Sequence, residues 1–291
     1  MITLRKYWIP IVLIIILFSR LLLFSESTND TFKVDFPPVS TLENNAPPPW
    51  VGISRDETMA YVKSASKETG IIPEFLLAIF SQETSSGKNL GSCFLFNPKI
   101  FGPGIGVDFY SGKFTSRVMK PERDVEPFLS IMKELDRNPY ITAVSCPMKI
   151  GYGGAMGPMQ IIPSTWILIK DRTAIALGKK VVDPWIPQDA FMGAAIHLRD
   201  LGADHKSDER KRNAACRYFS GKSCGEKKLI TTKKSKNGIA KKRLVYVENH
   251  LIAGYGNSIM KKMKYFYKIL HANDLAKKKI NKNSKQKKHK K

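Results

Sequence analysis

Residues 72–87, IPEFLLAIFSQETSSG, predict a helix with one apolar face. Pro73 suits the first position of a helix, where its missing N–H has no partner within the helix to lose. Gly87 suits the position just after the helix, where glycine adopts a left-handed conformation without strain. Between them, apolar side chains recur three and four residues apart: Leu76, Ile79 and Phe80. Such a helix is stable only when its apolar face is covered, so it must pack inside a folded domain.

Glu83 occupies the next position of that apolar face. Burial of a carboxyl group disfavours its charged form and therefore raises its pKa. A carboxylic acid that stays protonated near neutral pH can act as a general acid in catalysis. The alternative is a solvated or capping glutamate near a helix end, which has no catalytic role.

The chain has 291 residues, enough for one domain of ordinary to large size or two small ones. Its hydrophobic content of 43% is sufficient for a buried core. Its formal net charge of +23 is concentrated in two segments. Residues 206–243 contain 14 lysines and arginines against three acids, and residues 261–291 contain 13 lysines against one acid. The rest of the chain is therefore close to neutral.

Residues 1–24 predict a signal anchor or a signal peptide. Two basic residues precede an apolar run over residues 7–24. As a helix this run would be about 27 Å long, close to the thickness of the hydrocarbon core of a bilayer. No clear small-residue cleavage site follows, so an uncleaved anchor is favoured, and the preceding basic residues place the remainder outside the cytoplasm. Residues 25–50 contain two proline clusters and predict an extended linker.

Export would place the four cysteines in an oxidising compartment, where an even count predicts disulfides. Of the three possible pairings we prefer Cys93 with Cys146 and Cys216 with Cys224. A metal site such as zinc is disfavoured, because the sequence has no CxxC pair and no ligand-like spacing of histidines. Reduced, buried cysteines are the remaining alternative.

Hydrophobic periodicity predicts a mainly α domain over residues 51–272. A capping box at Ser54 and Glu57 opens a helix that extends to about Glu68. Five further helices are expected over residues 124–136, 163–177, 187–201, 208–220 and 244–270. Small residues in the third of these permit close packing against a neighbouring helix.

The remaining segments predict little regular structure. Residues 88–122 are rich in glycine, proline and aromatic residues and predict an irregular loop or a short hairpin over the site. Residues 222–243 predict a basic loop. Residues 273–291 predict a disordered Lys-rich tail, for which two roles are open: binding of anionic wall polymers or lipids, or a solvated tail without a partner. No specific binding of nucleic acid is expected, because the tail has no interleaved aromatic residues.

Two more stretches contain residues suited to ligand binding. In residues 151–166, GYGGAMGPMQIIPSTW, small residues allow a close approach of the backbone to a ligand. Met159 offers an adaptable apolar contact, and Gln160 offers both a donor and an acceptor for an amide or a sugar hydroxyl. Residues 214–221, AACRYFSG, place Tyr218 at the end of a helix.

Four blocks in this order resemble the lytic transglycosylases of bacterial peptidoglycan, particularly those similar to membrane-bound lytic transglycosylase B. The blocks are QETSSGKNLG, GGAMGPMQIIPSTW, DPWIPQDAFMGAAIHL and AACRYFSG. The resemblance covers roughly residues 55–270, and four blocks in order are far more specific than one. It implies a lysozyme-like fold and an enzyme of the bacterial cell envelope, outside the cytoplasm, that acts on peptidoglycan strands without a cofactor.

The resemblance also implies roles for individual residues. Glu83 would be the single acid and base, first protonating the glycosidic oxygen between N-acetylmuramic acid and N-acetylglucosamine. It would then take a proton from the C6 hydroxyl, closing a 1,6-anhydro ring, while the N-acetyl group of the substrate assists. Four further residues would bind substrate or orient the acid: Ser85, Met159, Gln160 and Tyr218.

The sequence departs from the family pattern at two positions within the quoted motifs. Gly151 stands where relatives often have a serine that positions the substrate, and Phe219 stands where many have an asparagine. Both departures concern how the substrate is positioned, and they leave the acid intact. A hydrolytic muramidase and a non-catalytic wall-binding protein are the alternative functions. No second carboxylate lies in the sugar-binding motifs, where Asp183 and Asp189 are typical of turn and helix-capping residues.

Overall fold

The computed structural model is mainly helical over the residues that it describes, which are 53–148, 151–231 and 242–272. For residues 229–231, 242 and 243 it describes the backbone alone. The predicted anchor, linker and Lys-rich tail lie outside the described residues. Within the described part, no helix combines the length and apolar character needed to cross a membrane.

The described residues form eight helices, two small sheets and one π-helical turn at Pro121–Val125. The helices are α1 (Arg55–Thr69), α2 (Pro73–Thr84), α3 (Pro98–Phe101), α4 (Glu126–Glu134), α5 (Pro163–Leu177), α6 (Pro187–Asp200), α7 (Asp208–Ser220) and α8 (His250–Leu270). The strands are β1 (Cys93–Leu95), β2 (Gly106–Asp108), β3 (Phe114–Thr115), β4 (Gly225–Thr231) and β5 (Lys242–Glu248). Strands β1, β2 and β3 form one antiparallel sheet in that order, and β4 pairs with β5 in an antiparallel hairpin.

Helix α2 lies at the centre of the core, as its apolar face requires. Its side chains with no exposure to solvent are Phe75, Leu76, Ala78 and Ile79. Helix α8 packs along α2, and α6 reaches it through an edge-to-face contact of Phe80 with Phe191, with ring centroids 5.0 Å apart. Burial of each large side chain contributes roughly 1.5–3 kcal/mol, so this helix is a main source of stability.

Helix α6 also packs against α1 and α5. The prediction that its small residues permit close packing is confirmed at Gly193. A Cβ atom at this position would lie 2.7 Å from the ring of Trp166 on α5. Close packing at Gly193 therefore requires the absence of a side chain there.

Two disulfides link the four cysteines in the preferred pairing, Cys93 with Cys146 and Cys216 with Cys224. The first attaches β1 to the segment that precedes residue 151. The second joins α7 to the start of the β4–β5 hairpin. The alternative of reduced cysteines is therefore wrong.

The prediction of a basic loop over residues 222–243 is wrong at residues 225–231, which form β4, and at residues 242–243, which begin β5, while residues 232–241 lie outside the described residues. The helix start at residue 244 is also wrong, because β5 continues to Glu248. Helix α8 begins at His250, where the Asn249 side chain accepts hydrogen bonds from two backbone N–H groups of the first turn. Strand preference depends strongly on the facing strand. The lysines of β4 do not indicate a strand until β5 supplies apolar partners.

Two other boundaries differ from the prediction. Helix α2 ends at Thr84 and not next to Gly87, because Ser85 and Ser86 both adopt left-handed backbone conformations, with φ of 52° and 62°. The Thr84 hydroxyl accepts a hydrogen bond from the Gly87 N–H at 2.9 Å, which fixes this turn. Residues 88–122 contain the three-stranded sheet in addition to loops, and the helix expected from residue 124 begins as a π-helical turn.

Candidate active site

Glu83 lies in the last turn of α2, with a side chain that is partly exposed to solvent. Its Oε1 accepts a hydrogen bond from the hydroxyl of Tyr255 on α8. Burial raises the pKa of Glu83 to about 7, even though the Tyr255 hydrogen bond and the positive charge of Lys262 lower it. Near neutral pH this carboxyl group therefore exists in both protonation states.

Helix α8 contacts three consecutive residues at the end of α2. The contacts are Tyr255 with Glu83, Ser258 Oγ with Gln82 Oε1 at 2.8 Å, and Lys262 Nζ with the Ser81 carbonyl at 3.2 Å. Positions 255, 258 and 262 lie on one face of a helix. One helix therefore fixes the whole final turn that carries Glu83.

Lys262 is the cation that acts on Glu83. Desolvation lowers the pKa of Lys262, while the charge of Glu83 raises it. Coulombic attraction to the ammonium group lowers the pKa of Glu83 in return. The Lys262 ammonium group therefore stabilises the carboxylate form of Glu83.

Tyr255 is the main residue of the site that the sequence analysis missed. Its ring stacks on Phe219, with centroids 4.6 Å apart and an angle of 11° between the rings. Burial and the negative charge of Glu83 raise the pKa of Tyr255 well above its usual value, so the hydroxyl keeps its proton. Tyr255 lies on the same side of α8 as the buried Ile252 and Ile259, and this apolar spacing was a signal that could have found it.

Phe219, one of the two departures from the family pattern, therefore contacts the ring of the residue that hydrogen-bonds the acid. An asparagine at this position would offer a polar group and no aromatic face. The stacked pair fixes the plane of the Tyr255 ring and hence the direction of its hydroxyl.

The structure places Tyr218 beside the acid, but its hydrogen bond goes elsewhere. The hydroxyl donates to the carbonyl of Met159 at 2.6 Å. Burial and the charge of Glu83 raise the pKa of Tyr218 well above its usual value, so Tyr218 is within electrostatic reach of Glu83. The tyrosine thereby connects α7 to Met159, within the glycine-rich block of residues 151–166.

Met159 and Gln160 lie next to one another, but in different surroundings. The Met159 side chain is fully buried in the core, and its carbonyl is the group that meets Tyr218. Gln160 is half-buried, with φ of 50°, and its amide donates to the carbonyls of Leu90 and Gly157 at 3.3 and 2.9 Å. Its Oε1 has no donor among the described residues and can accept a hydrogen bond from a ligand.

Thr84 joins the acid helix to this segment. Its buried hydroxyl lies 3.2 Å from the Pro158 carbonyl and 3.2 Å from the Phe80 carbonyl. The residues after Glu83 and the residues before Gln160 are thereby held together, although they are far apart in sequence. Ser85, exposed at the C-terminus of α2, is brought to the same place without a side-chain hydrogen bond among those described.

The glycines of the block approach protein groups closely, which differs from the role predicted for them. A Cβ atom at Gly153 would lie 2.2 Å from the Ser145 carbonyl oxygen, and one at Gly157 would lie 1.9 Å from that of Pro184. No described residue lies within 4 Å of a Cβ atom placed at Gly151, and the φ of 104° disfavours any other residue. A serine at this position would therefore require a different backbone conformation.

Asp183 and Asp189 both stabilise the turn before α6, as predicted for turn residues, but neither caps the helix, whose N-cap residue Ile186 has no side-chain hydrogen bond. Asp183 accepts a hydrogen bond from the backbone N–H of Trp185 at 2.8 Å and pairs with Arg137. Asp189, in the first turn of α6, accepts from the backbone N–H of Asp183 and pairs with Lys179. Neither these carboxylates nor any other in the described part of the chain is among the groups that shift the pKa of Glu83.

One group of possible metal ligands occurs among the described residues, formed by Cys93, Asp108 and Cys146. Its two sulfurs are bonded to each other, so neither is available as a thiolate ligand. Asp108 instead accepts hydrogen bonds from Ser92 and Ser111.

Comparison with known proteins gives matches among solved structures alone. No protein-family model and no curated protein matches the chain. Soluble lytic transglycosylase SltB1 from Pseudomonas aeruginosa is 15% identical over 73% of this chain and 76% of its own, with a TM-score of 0.41. Escherichia coli lytic transglycosylase Slt35 in complex with bulgecin A is 14% identical over 78% of this chain and 81% of its own, with a TM-score of 0.36.

A further structure of Escherichia coli Slt35, in complex with calcium, is 19% identical over 56% of this chain, with a TM-score of 0.32. In that alignment this chain spans about half of the Slt35 chain, 48%. These proteins are lytic transglycosylases, the family that the four sequence blocks resemble. At such identities and TM-scores, the function of this chain has to be inferred from its own residues.

Proposed function

We propose that this chain is a peptidoglycan lytic transglycosylase with a lysozyme-like catalytic domain, in which Glu83 acts alone as acid and base. The observation that supports this most directly is the half-buried Glu83 carboxyl group, with a pKa of about 7 and a tyrosine hydroxyl as its hydrogen-bond partner. A glycosidase with two carboxylates keeps one as a nucleophile or base. Here no second carboxylate perturbs Glu83 within the described residues.

In the first step, protonated Glu83 donates its proton to the oxygen that links N-acetylmuramic acid to N-acetylglucosamine. The bond from C1 of the muramic sugar to that oxygen breaks as the N-acetyl oxygen of the same sugar attacks C1. The N-acetylglucosamine part leaves with the proton on its O4. Glu83 becomes a carboxylate, which the Tyr255 hydroxyl and the Lys262 ammonium group stabilise.

In the second step, the Glu83 carboxylate removes the proton of the C6 hydroxyl of the muramic sugar. The freed O6 attacks C1, which displaces the N-acetyl oxygen and closes the 1,6-anhydro ring. Glu83 recovers its proton, so that no water is consumed. In this scheme Gln160 accepts a hydrogen bond from the sugar, while Ser85 and Tyr218 line the site and Met159 supports it from the core.

We place the enzyme in the bacterial cell envelope, outside the cytoplasm, with residues 1–24 as its membrane anchor. The two disulfides support an oxidising compartment. The apolar run of residues 7–24 and the basic residues before it support the anchor and its direction. The Lys-rich residues 273–291 would add contacts to anionic wall polymers or lipids.

Digestion of purified peptidoglycan, followed by mass spectrometry of the products, tests the reaction. We expect 1,6-anhydro muropeptides, and we expect Glu83→Gln to reduce their release roughly 10²–10⁴-fold, as for loss of a general acid. The same substitution at Glu74 is a matched control, since Glu74 is at the opposite end of α2 and pairs with His271. Glu74→Gln should leave the rate within about twofold of the parent.

Products with a free reducing end in place of the anhydro ring would replace the proposal by a hydrolytic muramidase. Full activity of Glu83→Gln would refute the assigned acid. Absence of any release by a well-folded parent chain would favour a wall-binding protein without catalysis.

A further inference from the structure

Over residues 226–228 and 245–247, the β4–β5 hairpin pairs charged residues of β4 with apolar residues of β5. Each of three facing pairs joins a charged residue of β4 to an apolar residue of β5: Lys227 with Tyr246, Lys228 with Val245, and Glu226 with Val247. Leu244, Tyr246 and Val247 are 56%, 46% and 36% exposed. Leu251, just beyond the hairpin on α8, is 61% exposed. In the described part of the chain, these four apolar side chains remain exposed to solvent.

The charge of this segment is strongly positive. Residues 222–248 contain nine lysines and arginines against two acids. Both acids are already paired, Glu226 with Lys228 at 2.9 Å and Glu248 with Arg212 of α7 at 2.8 Å. The sequence of this segment therefore carries a formal charge of +7, from nine basic and two acidic residues, and Lys227 of β4 directly faces the exposed Tyr246.

The base of the hairpin is fixed to the helices that carry the site. Its disulfide joins Cys224 to Cys216 of α7, and the Asn249 N–H donates to the Cys224 carbonyl at 2.9 Å. A Cβ atom at Gly256 would lie 2.6 Å from the Cys216 sulfur, so α8 packs directly on this disulfide. The residue before Gly256 is Tyr255, and the hairpin therefore has a defined position relative to the acid.

We propose that the β4–β5 hairpin is a membrane-contact arm that binds the surface of an anionic phospholipid bilayer. Its lysines would lie among the phosphate groups, while Leu244 and Tyr246, two residues apart in β5 and therefore on one face of the hairpin, would enter the boundary with the acyl chains. Basic residues gain attraction from an anionic lipid surface, and tyrosine is favoured at the same depth. The arm would hold the domain against the membrane at a fixed orientation.

The exposed apolar side chains Leu244 and Tyr246 favour a lipid surface over a soluble polyanion as the ligand of the hairpin. A soluble polyanion is bound by the charges alone through release of counterions, and it would leave the apolar side chains in water. A bilayer surface satisfies both kinds of side chain at once, because it offers phosphate groups above an apolar layer. Two properties of the hairpin, its basic charge and its exposed apolar side chains, therefore favour an anionic bilayer as its binding partner.

A local fluorescence probe tests this proposal in the full chain, since residues 7–24 are expected to hold it on any vesicle. The four native cysteines are disulfide-bonded, so Leu244→Cys supplies a single site for an environment-sensitive dye. We expect a blue shift on vesicles of phosphatidylglycerol with phosphatidylcholine and none on phosphatidylcholine alone. Ile175→Cys, at an exposed position of α5, is the matched control and should show no shift on either vesicle.

Charge dependence provides the second arm. Replacement of Lys227 and Lys228 by glutamine should weaken the anionic response roughly fivefold for each lysine. An equal shift on neutral vesicles, no shift on anionic vesicles, or insensitivity to the two replacements would each overturn the proposal. The same shift with soluble polyphosphate in the absence of vesicles would also overturn it, in favour of a polymer-binding arm.

Discussion

The proton of Glu83 is controlled by neighbours that act in opposite directions. Burial raises the pKa, whereas the Tyr255 hydroxyl and the Lys262 ammonium group lower it, and the result is a pKa of about 7. A group that must first give a proton and then accept one works best when neither form is strongly favoured. The groups around Glu83 therefore suit a residue that is proposed to act first as an acid and then as a base.

The first prediction concerns the pH dependence of the proposed reaction. Because the free enzyme has to carry a protonated Glu83, kcat/KM should fall about tenfold for each pH unit above about 7. Initial rates of peptidoglycan solubilisation between about pH 5 and about pH 9 measure this. A rate that stays constant up to about pH 9 would contradict the role of Glu83 as the acid.

Stability gives an independent measure of the same pKa. The folded chain keeps the Glu83 proton up to about pH 7, whereas the unfolded chain loses it near the ordinary value of 4.5. The folded state therefore binds more protons in this window, and the free energy of unfolding should fall as pH rises through it. The decrease should be up to ~3 kcal/mol and absent in Glu83→Gln, as urea unfolding at several pH values would show.

At the scale of the element, α8 supplies both groups that favour the charged form of Glu83. Tyr255 and Lys262 are two turns apart on one face, and Ser258 between them fixes the neighbouring Gln82. This helix therefore determines both the position and the pKa of the acid. The stacked Phe219 extends the same control to α7.

Replacement of Tyr255 by phenylalanine tests this control. The variant keeps the stacked ring and loses the hydroxyl, so the pKa of Glu83 should increase and the alkaline limb of kcat/KM should move to higher pH by roughly half to one unit. The rate in the plateau should fall, because the carboxylate formed in the first step loses a donor. A pH–rate profile measures both effects.

Tyr218→Phe is the matched control for that experiment. It removes a hydroxyl that donates to the Met159 carbonyl and not to Glu83, so the alkaline limb should stay close to that of the parent. An unchanged limb in Tyr255→Phe, or an equal displacement in both variants, would show that the Tyr255 hydrogen bond does not control the acid.

The predictability of elements from the sequence depended on where their stabilising contacts lie. Helices such as α1 and α7 carry their own signals. Ser54 and Ser207 cap their N-termini, and a glycine follows the C-terminus of each helix. The hairpin has no such local signal in β4, because its lysine-rich strand is defined by the partner strand more than by its own residues. The helix predicted from residue 244 was wrong for the same reason.

At the scale of the whole molecule, the glycine-rich block of residues 151–166 packs closely against segments that are distant in sequence. Gly157 adopts φ of 61°, and its Cα lies so close to residue 184 that a Cβ atom would be 1.9 Å from the Pro184 carbonyl oxygen. This contact holds the backbone that carries Met159 and Gln160 against the turn before α6. The position of the proposed substrate-binding residues therefore depends on the packing of distant segments.

Gly157→Ala should destabilise the fold strongly, and Gly178→Ala provides the matched control. Gly178 has nearly the same φ, 64°, but a Cβ atom placed there would have none of the described residues within 4 Å. Gly178→Ala should cost about 1–2 kcal/mol for the left-handed conformation alone. Gly157→Ala should cost roughly 1–3 kcal/mol more for the clash, as measured by urea unfolding, and equal losses would refute the close packing at Gly157.

The site could be predicted from the sequence where it lies in contiguous motifs. Glu83 was identified by its place on an apolar face, and Gln160 by its functional groups within a dense block. Tyr255 lies outside all four blocks, and its role depends on how α8 packs against α2. Periodicity predicts that a side chain faces inward, but it does not predict which side chain of another helix it meets.

The hydrogen bond between Tyr255 and Glu83 joins residues that are 172 positions apart. A chain that is synthesised or exported from its N-terminus presents the acid long before the tyrosine that orients it. The closing contact also requires α8, the last helix described, which packs on the disulfide between Cys216 and Cys224. A chain that is not yet complete would therefore carry Glu83 without its hydrogen-bond partner, and the proposed activity would begin only once α8 has packed against α2.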